Sequence, residues 1–255
     1  MKPTSAPEAK EAVRNYWEAA PCGSSLTNSE PGSKAFFDEI ETARYRLEPF
    51  ILQFAEFEYW RDKRVLEIGV GVGTDFVRFA RAGAALSGID LTEASIELVR
   101  KRLALEGLDA DLRVADAEAL PFADGSFDLV YSWGVLHHTP DTERALREAR
   151  RVLRPGGEAR VMLYSRRSWF ALGNWARYAL VRGRPWRSFA DVLSSHMESA
   201  GTKAYTQREL AQMFSAFSSV SFMRFITLYD RRVGGALAQI AGPRFGWFVG
   251  IRATR

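Results

Sequence analysis

The fold is decided by the stretch Arg64-Val65-Leu66-Glu67-Ile68-Gly69-Val70-Gly71-Val72-Gly73-Thr74-Asp75. The apolar residues before its first glycine form the kind of short run that fills a buried parallel strand. Three glycines then alternate with small valines, and a helical apolar pattern follows through Phe76 and Phe79. A strand, a glycine turn and a helix bring a ligand against bare backbone at a helix N-terminus. The stretch therefore predicts a ligand site where the strand gives way to the helix.

Strand and helix patterns alternate along the rest of the chain. Apolar stripes at helical spacing separate most of the short apolar runs, which indicates an α/β fold with a parallel sheet and helices on both faces. Before the last run the helical pattern is weak and is confined to 234–240. The further strands are predicted at 85–90, 111–115, 127–132, 158–164, 220–226 and 247–252.

The N-terminal third has a different character from the sheet region. Residues 1–12 are rich in Pro, Ala and Glu, and we expect them to fray. An aromatic-rich helical segment at 36–59, broken near Pro49, precedes the first strand and is interpreted as a cap over the site. Within one predicted domain, 1–255, the parts are then a helical cap at 1–60, a ligand-binding core at 61–165, an insert at 166–205 and the C-terminal strands at 206–255.

Composition limits the classes of function. The chain has 255 residues, a formal net charge of +4 and one cysteine, Cys22. A single cysteine excludes an intramolecular disulfide and a cysteine-based zinc site, and no metal site is predicted. The small basic excess does not by itself indicate a nucleic-acid partner. No apolar run approaches the roughly 20 residues that span a bilayer, and no apolar signal core is present, so we expect a soluble, cytoplasmic protein.

The spacing of the glycines bears on the ligand. A dinucleotide site favours Gly-x-Gly-x-x-Gly, whereas this chain has Gly69-x-Gly71-x-Gly73 with Thr74 in the sixth position. The glycines alone are also compatible with a tight turn that binds nothing. The residues at the following strand ends are needed to decide between these alternatives.

Acidic side chains follow the second and third predicted strands. Asp90 ends the second strand, where a carboxylate accepts both hydroxyls of a ribose, in NAD or in another adenosyl ligand. Asp116 follows the third strand and suits the adenine amino group, with the Ala117 N–H on a ring nitrogen. Ligands of open parallel sheets bind at the carboxyl ends of strands. The alternative for either aspartate is an N-cap of the next helix.

Together these motifs resemble the class I S-adenosylmethionine-dependent methyltransferases, in particular the branch with small-molecule and quinone C-methyltransferases. The resemblance covers about residues 60–165. It implies a Rossmann-like, seven-stranded sheet whose last strand is antiparallel, and S-adenosyl-L-methionine as cofactor. The motifs that carry it are Val65-Leu66-Glu67-Ile68-Gly69-x-Gly71-x-Gly73, Gly88-Ile89-Asp90, the Asp116 segment, Phe127-Asp128-Leu129-Val130 with Leu136-His137-His138, and Arg151-Val152-Leu153-Arg154-Pro155-Gly156-Gly157.

The resemblance implies a role for each matching residue. Glu67 is expected near the methionine amino group, and the three glycines are expected to admit the methionine and ribose portions. Asp90 is expected to hold the ribose, with Leu91 against the adenine. The other implied cofactor contacts are Asp116 and Ala117 at the adenine edge, and Ser132 or Trp133 beside the methionine portion.

His138 is the candidate catalytic residue. It follows the fourth strand, near the expected methyl position, and an unperturbed imidazole titrates close to neutral pH, which suits a general base. The alternative is that His138 only lines the pocket. From the cap, Tyr16 and Trp17 are expected to fold over the cofactor, with core packing as the alternative, and Arg46 or Arg14 to pair with the methionine carboxylate.

The segment 166–189 combines six arginines with aromatic residues and contains no acidic residue. As a lid over the acceptor, it would turn Trp169, Leu172, Ala176 and Leu180 inward. It would otherwise lie on a membrane surface or bind RNA. The lid is favoured, with an apolar or anionic small-molecule acceptor. A lipid or quinone acceptor, an adenosyl-binding protein without transferase activity, and a nicotinamide-dependent oxidoreductase are the alternatives that remain open.

Overall fold

The computed structural model describes residues 5–199 and 201–255. Seven strands, numbered β1 to β7 in chain order, form one sheet with the order β3-β2-β1-β4-β5-β7-β6. β7 runs antiparallel to both of its neighbours, and the other pairs are parallel. This confirms the predicted Rossmann-like sheet with its reversed last strand. The strands are Arg64–Ile68, Ala85–Asp90, Asp111–Val114, Phe127–Trp133, Leu153–Tyr164, Ser219–Phe225 and Phe248–Thr254.

Helices cover both faces of the sheet. The first helices of the chain form a cap over the carboxyl ends of the strands. They are numbered α1 to α10 in chain order, and a π-helical turn at Ala176–Leu180 follows α7. The helices are Ala6–Ala19, Lys34–Leu47, Phe50–Ala55, Thr74–Arg81, Glu93–Glu106, Thr142–Val152, Trp169–Trp175, Phe189–His196, Gln207–Met213 and Leu228–Ile240.

Strand β1 explains why the quoted stretch decides the fold. Alternate residues of a strand point to opposite faces of the sheet, and both faces of β1 are buried. Val65 packs into a core shared with α3, α4 and α5. Leu66 and Ile68 pack into a second core, shared with α6 and α9. A strand buried on both faces needs the continuous apolar run that the sequence shows.

The N-terminus departs from the prediction that residues 1–12 fray. Ser5 caps α1 in a reciprocal arrangement with Glu8, and α1 begins at Ala6. A capping box satisfies two backbone N–H groups that the first helical turn leaves without partners. Residues 1–4 lie outside the described residues.

The helix before β7 is longer than the predicted 234–240. α10 begins at Leu228, where Thr227 and Asp230 form a capping box, and it is kinked at Gly235, whose backbone is not helical. The buried Asp230 carboxylate also accepts the N–H groups of Trp247 (2.9 Å) and Phe170 (3.2 Å). It therefore joins α10, β7 and α7. In the described part of the chain, no helix is long and apolar enough to cross a bilayer.

Candidate functional site

A cleft opens at the carboxyl ends of β1, β2 and β4, with α1 and α2 on its far side. Its empty volume is about 1130 Å³, counting its mouth. The walls hold nine of the predicted site residues in the core of the fold, together with cap residues that the sequence analysis did not place at the site. The nine are Glu67, Gly69, Gly71, Asp90, Leu91, Asp116, Ala117, Trp133 and His138, and the cap residues include Lys10, Cys22 and Arg44.

The glycine turn is shaped by backbone conformation and by packing. Gly69, Gly71 and Gly73 have φ values of 80°, 52° and 76°, in the region that favours glycine. A Cβ at Gly69 would lie 2.3 Å from a Val135 methyl, and one at Gly73 would lie 2.9 Å from a Val99 methyl. Of these three glycines, Gly69 and Gly71 line the cleft and Gly73 does not. Gly73 is therefore required by the turn and its packing, whereas Gly71 presents its backbone to the cleft.

Asp90 is anchored in the cleft wall at the end of β2. Its carboxylate accepts hydrogen bonds from the N–H of Gly71 (3.1 Å), the N–H of Thr92 (3.0 Å) and the hydroxyl of Thr92 (2.7 Å). Burial raises the pKa of the Asp90 carboxyl, while these hydrogen bonds oppose the rise. The carboxylate is thus fixed in orientation, which suits the recognition of a pair of hydroxyls.

Asp116 is engaged within the protein. Its carboxylate receives Lys10 Nζ at 2.5 Å and the Glu118 N–H at 2.9 Å, and Lys10 also reaches the Glu118 carboxylate at 2.8 Å. Lys10 belongs to α1, so this contact fastens α1 over the cleft. Leu91 and Ala117 line the cleft beside it. The contact between Asp116 and adenine stays a prediction. In that contact, one carboxylate oxygen of Asp116 would be shared with Lys10.

Glu67 is a buried carboxyl with an unused oxygen. Among the described residues, Glu67 Oε2 has no hydrogen-bond partner, although the side chain is only 4% exposed. Burial, and then the charge of Asp75, hold the pKa of this carboxyl well above its usual range. An unpaired buried acceptor in a cleft wall fits a ligand that donates a hydrogen bond there. This atom and the bare Gly71 backbone fit the ammonium and ribose ends of an adenosyl amino-acid ligand.

Arg44 occupies the position that the sequence analysis gave to Arg46. Arg44 lines the cleft and holds the Asp75 carboxylate with two hydrogen bonds, of 2.7 and 3.1 Å. Burial works to raise the pKa of Asp75, but the charge and hydrogen bonds of Arg44 outweigh it and lower that pKa. Arg46 is exposed, because it lies on the outer face of α2. The spacing of Arg44 from the buried Ile40, one helical turn, is the signal that identifies the inward arginine.

Two other predicted contacts, Tyr16 and Ser132, lie outside the cleft, whereas Trp133 lines it as predicted. Tyr16 is 44% exposed and does not line the cleft, whereas the neighbouring Trp17 does. Ser132 is buried and donates its hydroxyl to the Ile68 carbonyl at 3.1 Å, behind the cleft wall. Trp133 lines the cleft and donates its indole N–H to Glu48 at 2.9 Å.

His138 lies in the cleft wall next to Trp17, whose ring is 5.4 Å away between centroids. Its Nδ1 is within hydrogen-bond distance of the hydroxyls of Ser199 (2.8 Å) and Thr202 (3.0 Å). Among the described residues its Nε2 has no hydrogen-bond partner. Burial, and then the charge of Lys203, lower the pKa of His138 to about 3. The predicted titration near neutral pH is therefore wrong: this imidazole is neutral under ordinary conditions.

The segment 166–189 does not line the cleft. Its helix α7 packs on α10, where a Cβ on Gly173 would meet the Val233 methyls at 2.7 Å. Leu172 and Leu180, expected to face inward, are 44% and 53% exposed. The inward stripe predicted for a lid is therefore wrong at these two positions.

No cluster of His, Cys, Asp or Glu side chains within 5–199 and 201–255 is arranged to hold a metal ion. The ionisable side chains of the cleft wall include Lys10, Arg44, Glu67, Asp75, Asp90, Asp116 and His138.

Comparisons with known proteins agree with this geometry. The family profile of a methyltransferase domain matches residues 66–161. The 27-O-demethylrifamycin SV methyltransferase of Amycolatopsis mediterranei is 42% identical over 99 residues, which cover 37% of this chain and 36% of that protein. The phthiotriol/phenolphthiotriol dimycocerosates methyltransferase 1 of Mycobacterium ulcerans is 34% identical over 182 residues, covering 69% and 62%.

Among solved structures, the geranyl diphosphate C-methyltransferase of Streptomyces coelicolor has a TM-score of 0.63 at 17% identity. The match covers 99% of this chain and 98% of that one, which was crystallised with Mg²⁺, geranyl diphosphate and S-adenosyl-L-homocysteine. At this identity the likeness shows the fold. The chain spans about a third of the first two curated relatives that it matches.

Proposed function

Because the chain is a class I methyltransferase in its fold and in its matched domain, we propose that it transfers a methyl group from S-adenosylmethionine to a small-molecule acceptor. The observation that carries this proposal is the arrangement of Gly71, Asp90 and Glu67 in one cleft wall. Bare backbone, a fixed carboxylate and an unpaired carboxyl oxygen lie where a ribose and an amino acid would each find a partner.

The protein's own contribution is positioning and exclusion of water. S-adenosylmethionine supplies a methyl group on a positively charged sulfur, which leaves as a neutral thioether. Asp90 fixes the ribose end, Glu67 receives the amino group, and Arg44 lies within the cleft near the carboxylate end. Trp17 and Lys10 of α1 close the cleft from above. Holding two reactants in line replaces a bimolecular encounter with a single bound geometry.

His138 is proposed to receive the proton of the acceptor. In the tautomer with its proton on Nδ1, this N–H donates to the hydroxyl oxygens of Ser199 and Thr202, and the Nε2 lone pair is free to accept a proton. The Glu198 carboxylate lies 3.7 Å from that Nε2. A carboxylate at this distance offsets the positive charge that the imidazole gains. The acceptor atom then forms its bond to the methyl carbon while its proton passes to His138.

The nicotinamide alternative has less support. A dinucleotide site places its third glycine after two intervening residues, so that the helix packs close to the strand beside the pyrophosphate. Here that position is Thr74, a buried residue. The cleft also has Glu67 and Asp75 where a pyrophosphate would bring negative charge.

A membrane-associated lipid or quinone acceptor is a second candidate, favoured by one surface. This surface, called the apolar face below, is formed by α7, the π-helical turn after it and α10. Its large exposed side chains are Leu172, Leu180, Val181, Trp186, Leu228, Tyr229, Val233, Leu237 and Ile240.

The apolar face is built where α7 packs on α10. Phe170 contacts the Tyr229 ring, and a Cβ on Gly173 would meet the Val233 methyls, while α10 itself is kinked at Gly235. The exposed Arg177, Arg182 and Arg184 have no ion-pair partner among the described residues. Exposed apolar side chains among arginines suit the boundary of an anionic bilayer. A location at the cytoplasmic surface of a membrane fits this arrangement.

Transfer of a labelled methyl group tests the proposed function. Purified protein, S-adenosylmethionine labelled in its methyl group and a cell extract are incubated, and the extract is then separated into small molecules, lipids, nucleic acid and protein. We expect label in the small-molecule or lipid fraction, and none with the Asp90→Ala variant. Label confined to nucleic acid or protein contradicts the proposed acceptor class.

A further inference from the structure

The imidazole in the cleft wall is held from behind by two hydroxyl groups. His138 Nδ1 lies 2.8 Å from Ser199 Oγ and 3.0 Å from Thr202 Oγ1, and the two hydroxyl oxygens are 3.2 Å apart. All three residues are buried, with exposed fractions of 5%, 1% and 1%. Buried polar atoms need hydrogen-bond partners, so the positions of the protons among these three groups are constrained.

The order of the protons follows from the last acceptor of this cluster. Thr202 Oγ1 lies 2.7 Å from the Ser199 carbonyl oxygen, which can only accept, so the Thr202 hydroxyl donates there. Because its one proton is used in this bond, Thr202 Oγ1 can only accept from Ser199 Oγ and from His138 Nδ1. An Nδ1 without a proton would face an oxygen lone pair at 3.0 Å. The geometry therefore favours the imidazole that carries its proton on Nδ1.

The acidic side chain at the other edge of the ring is too far away to reverse this preference. Glu198 Oε2 lies 3.7 Å from His138 Nε2, beyond hydrogen-bond distance, and its side chain is 41% exposed. Solvent screens a charge with this exposure. Within the described part of the chain, Nε2 has no hydrogen-bond partner. The two short contacts on Nδ1 therefore decide the tautomer.

Backbone hydrogen bonds fix Thr202 behind the imidazole. The next residue, Lys203, donates its backbone N–H to the His137 carbonyl at 3.0 Å. Tyr205 donates its backbone N–H to the Tyr164 carbonyl, at the end of β5, at 2.8 Å. The predicted insert thus meets the cleft wall through its last residues and not through its arginine-rich part.

We propose that Thr202, assisted by Ser199, is a positioning residue that holds His138 in the Nδ1–H tautomer and so leaves the Nε2 lone pair free for the proton of the acceptor. The inference rests on the proposed function, since it concerns the proposed base of the same site. The Nε2–H tautomer would present a donor to the cleft and could not take that proton. A third group that orients the base is a recurring requirement of base-assisted catalysis.

Nuclear magnetic resonance of isotope-labelled histidine tests the tautomer in the intact protein at neutral pH. Couplings between the ring nitrogens and the ring carbon-bound protons distinguish the Nδ1–H form from the Nε2–H form. The chain has three histidines, and the signal that is lost in His138→Asn gives the assignment. We expect the Nδ1–H form to exceed the Nε2–H form at least about tenfold, since the opposite arrangement leaves buried groups without partners.

Two variants separate the roles of the hydroxyls. Thr202→Val removes the acceptor that cannot donate and frees the Ser199 hydroxyl to donate to Nδ1, so the share of the Nε2–H form should rise severalfold. Ser199→Ala leaves Thr202 Oγ1 in place, and Thr202→Ser keeps a hydroxyl there, so both should retain the Nδ1–H form. Ser195→Ala is the matched control, because it removes an exposed hydroxyl of the same insert that is bonded to the Asp191 carbonyl at 2.8 Å.

A dominant Nε2–H form in wild type overturns the inference, and this outcome depends on no variant's folding. Equal shifts in Thr202→Val and Ser195→Ala also overturn it, since they would reflect a general change of structure. In the labelled-methyl assay Thr202→Val should lower the transfer rate severalfold at unchanged S-adenosylhomocysteine affinity, and Thr202→Ser should restore the rate. An unchanged rate despite a shifted tautomer contradicts the positioning role. Absence of S-adenosylhomocysteine binding to wild type would refute the proposed function and leave the tautomer result standing.

Discussion

At the residue scale, the site combines groups that the fold requires with groups that only a ligand explains. Gly73 has a positive φ and packs against Val99, so its glycine serves the turn. Asp90 is anchored by three hydrogen bonds and still faces the cleft. Glu67 Oε2 has no partner in the described part of the chain. A buried polar atom without a partner is costly, so its position is best explained by the ligand.

The glycines offer a matched pair of substitutions. Gly71→Ala should destabilise the fold by about 1 kcal/mol, the cost of a positive φ without glycine, and should weaken S-adenosylhomocysteine binding. Gly73→Ala should destabilise the fold more, because its Cβ would also meet Val99 at 2.9 Å. Urea unfolding and calorimetry measure the two effects. If Gly71→Ala leaves the affinity unchanged, the turn does not present backbone to the ligand.

The low pKa of His138 makes stability depend on pH. The unfolded chain binds a proton at His138 below about pH 6.5, whereas the folded chain does so only near pH 3. The proton equilibrium of His138 therefore leaves the free energy of unfolding unchanged above about pH 6.5. Below that pH it lowers the free energy of unfolding by roughly 1 kcal/mol per pH unit. His138→Asn should flatten the dependence of unfolding free energy on pH between 6 and 4, measured against wild type.

Buried carboxyls with a raised pKa change the free energy of unfolding in the opposite direction as the pH falls. Wild type and His138→Asn share these carboxyls, so their effect cancels when the two proteins are compared. His196→Asn, a change at a partly buried histidine outside the cleft wall, is the control. If it flattens the profile as much as His138→Asn does, His138 is not the source of the dependence.

At the element scale, α1 acts as a strap across the cleft. Lys10 pairs with Asp116 and Glu118, and Glu18 accepts the N–H groups of Glu93 and Ala94 at the start of α5. Both contacts hold α1 by charge more than by apolar packing, since Val13 is its one fully buried side chain. An element held in this way opens more readily than the core.

Lys10→Met should loosen this strap. We expect faster hydrogen exchange of the α1 amides, while global stability falls by no more than about 1 kcal/mol, since the Lys10 side chain is partly exposed. S-adenosylhomocysteine should slow α1 exchange in wild type. Lys34→Met, which removes an exposed pair with Asp38, is the control. Unchanged α1 exchange in Lys10→Met would show that the ion pairs do not hold the helix.

The sequence predicted the helices and strands better than it predicted the contacts between side chains. The sheet, its reversed last strand and the strand ends that carry Asp90 and His138 follow from apolar runs and glycines, which are local signals. Arg44 was missed for Arg46 because the choice depends on which face of α2 meets the sheet. The hydrogen bonds of His138 were missed because Ser199 and Thr202 lie 61 and 64 positions further along the sequence.

At the scale of the whole molecule, the apolar face is the surface that we propose to meet a bilayer. The chain spans only part of its curated relatives, so the acceptor has to be found on this protein itself.

Vesicle binding tests the apolar face. The protein should sediment with vesicles containing anionic lipid, less with neutral vesicles, and less again as salt rises, because arginine contacts are screened. Trp186→Ser with Ile240→Ser should reduce binding severalfold. Leu105→Ser, an exposed apolar residue on α5, should not. Equal loss in the control would show that the binding does not use this face.

The central claim is that the cleft binds the adenosyl and amino-acid parts of S-adenosylmethionine. Calorimetric titration of S-adenosylhomocysteine and of NADH into wild type and Asp90→Ala tests it most directly. We predict that S-adenosylhomocysteine binds wild type, that Asp90→Ala weakens this binding at least about tenfold, since hydrogen bonds to a charged group are worth about 1.5–3 kcal/mol, and that NADH binds neither protein tightly. Tight NADH binding with no response to S-adenosylhomocysteine, or full affinity in Asp90→Ala, would contradict the claim.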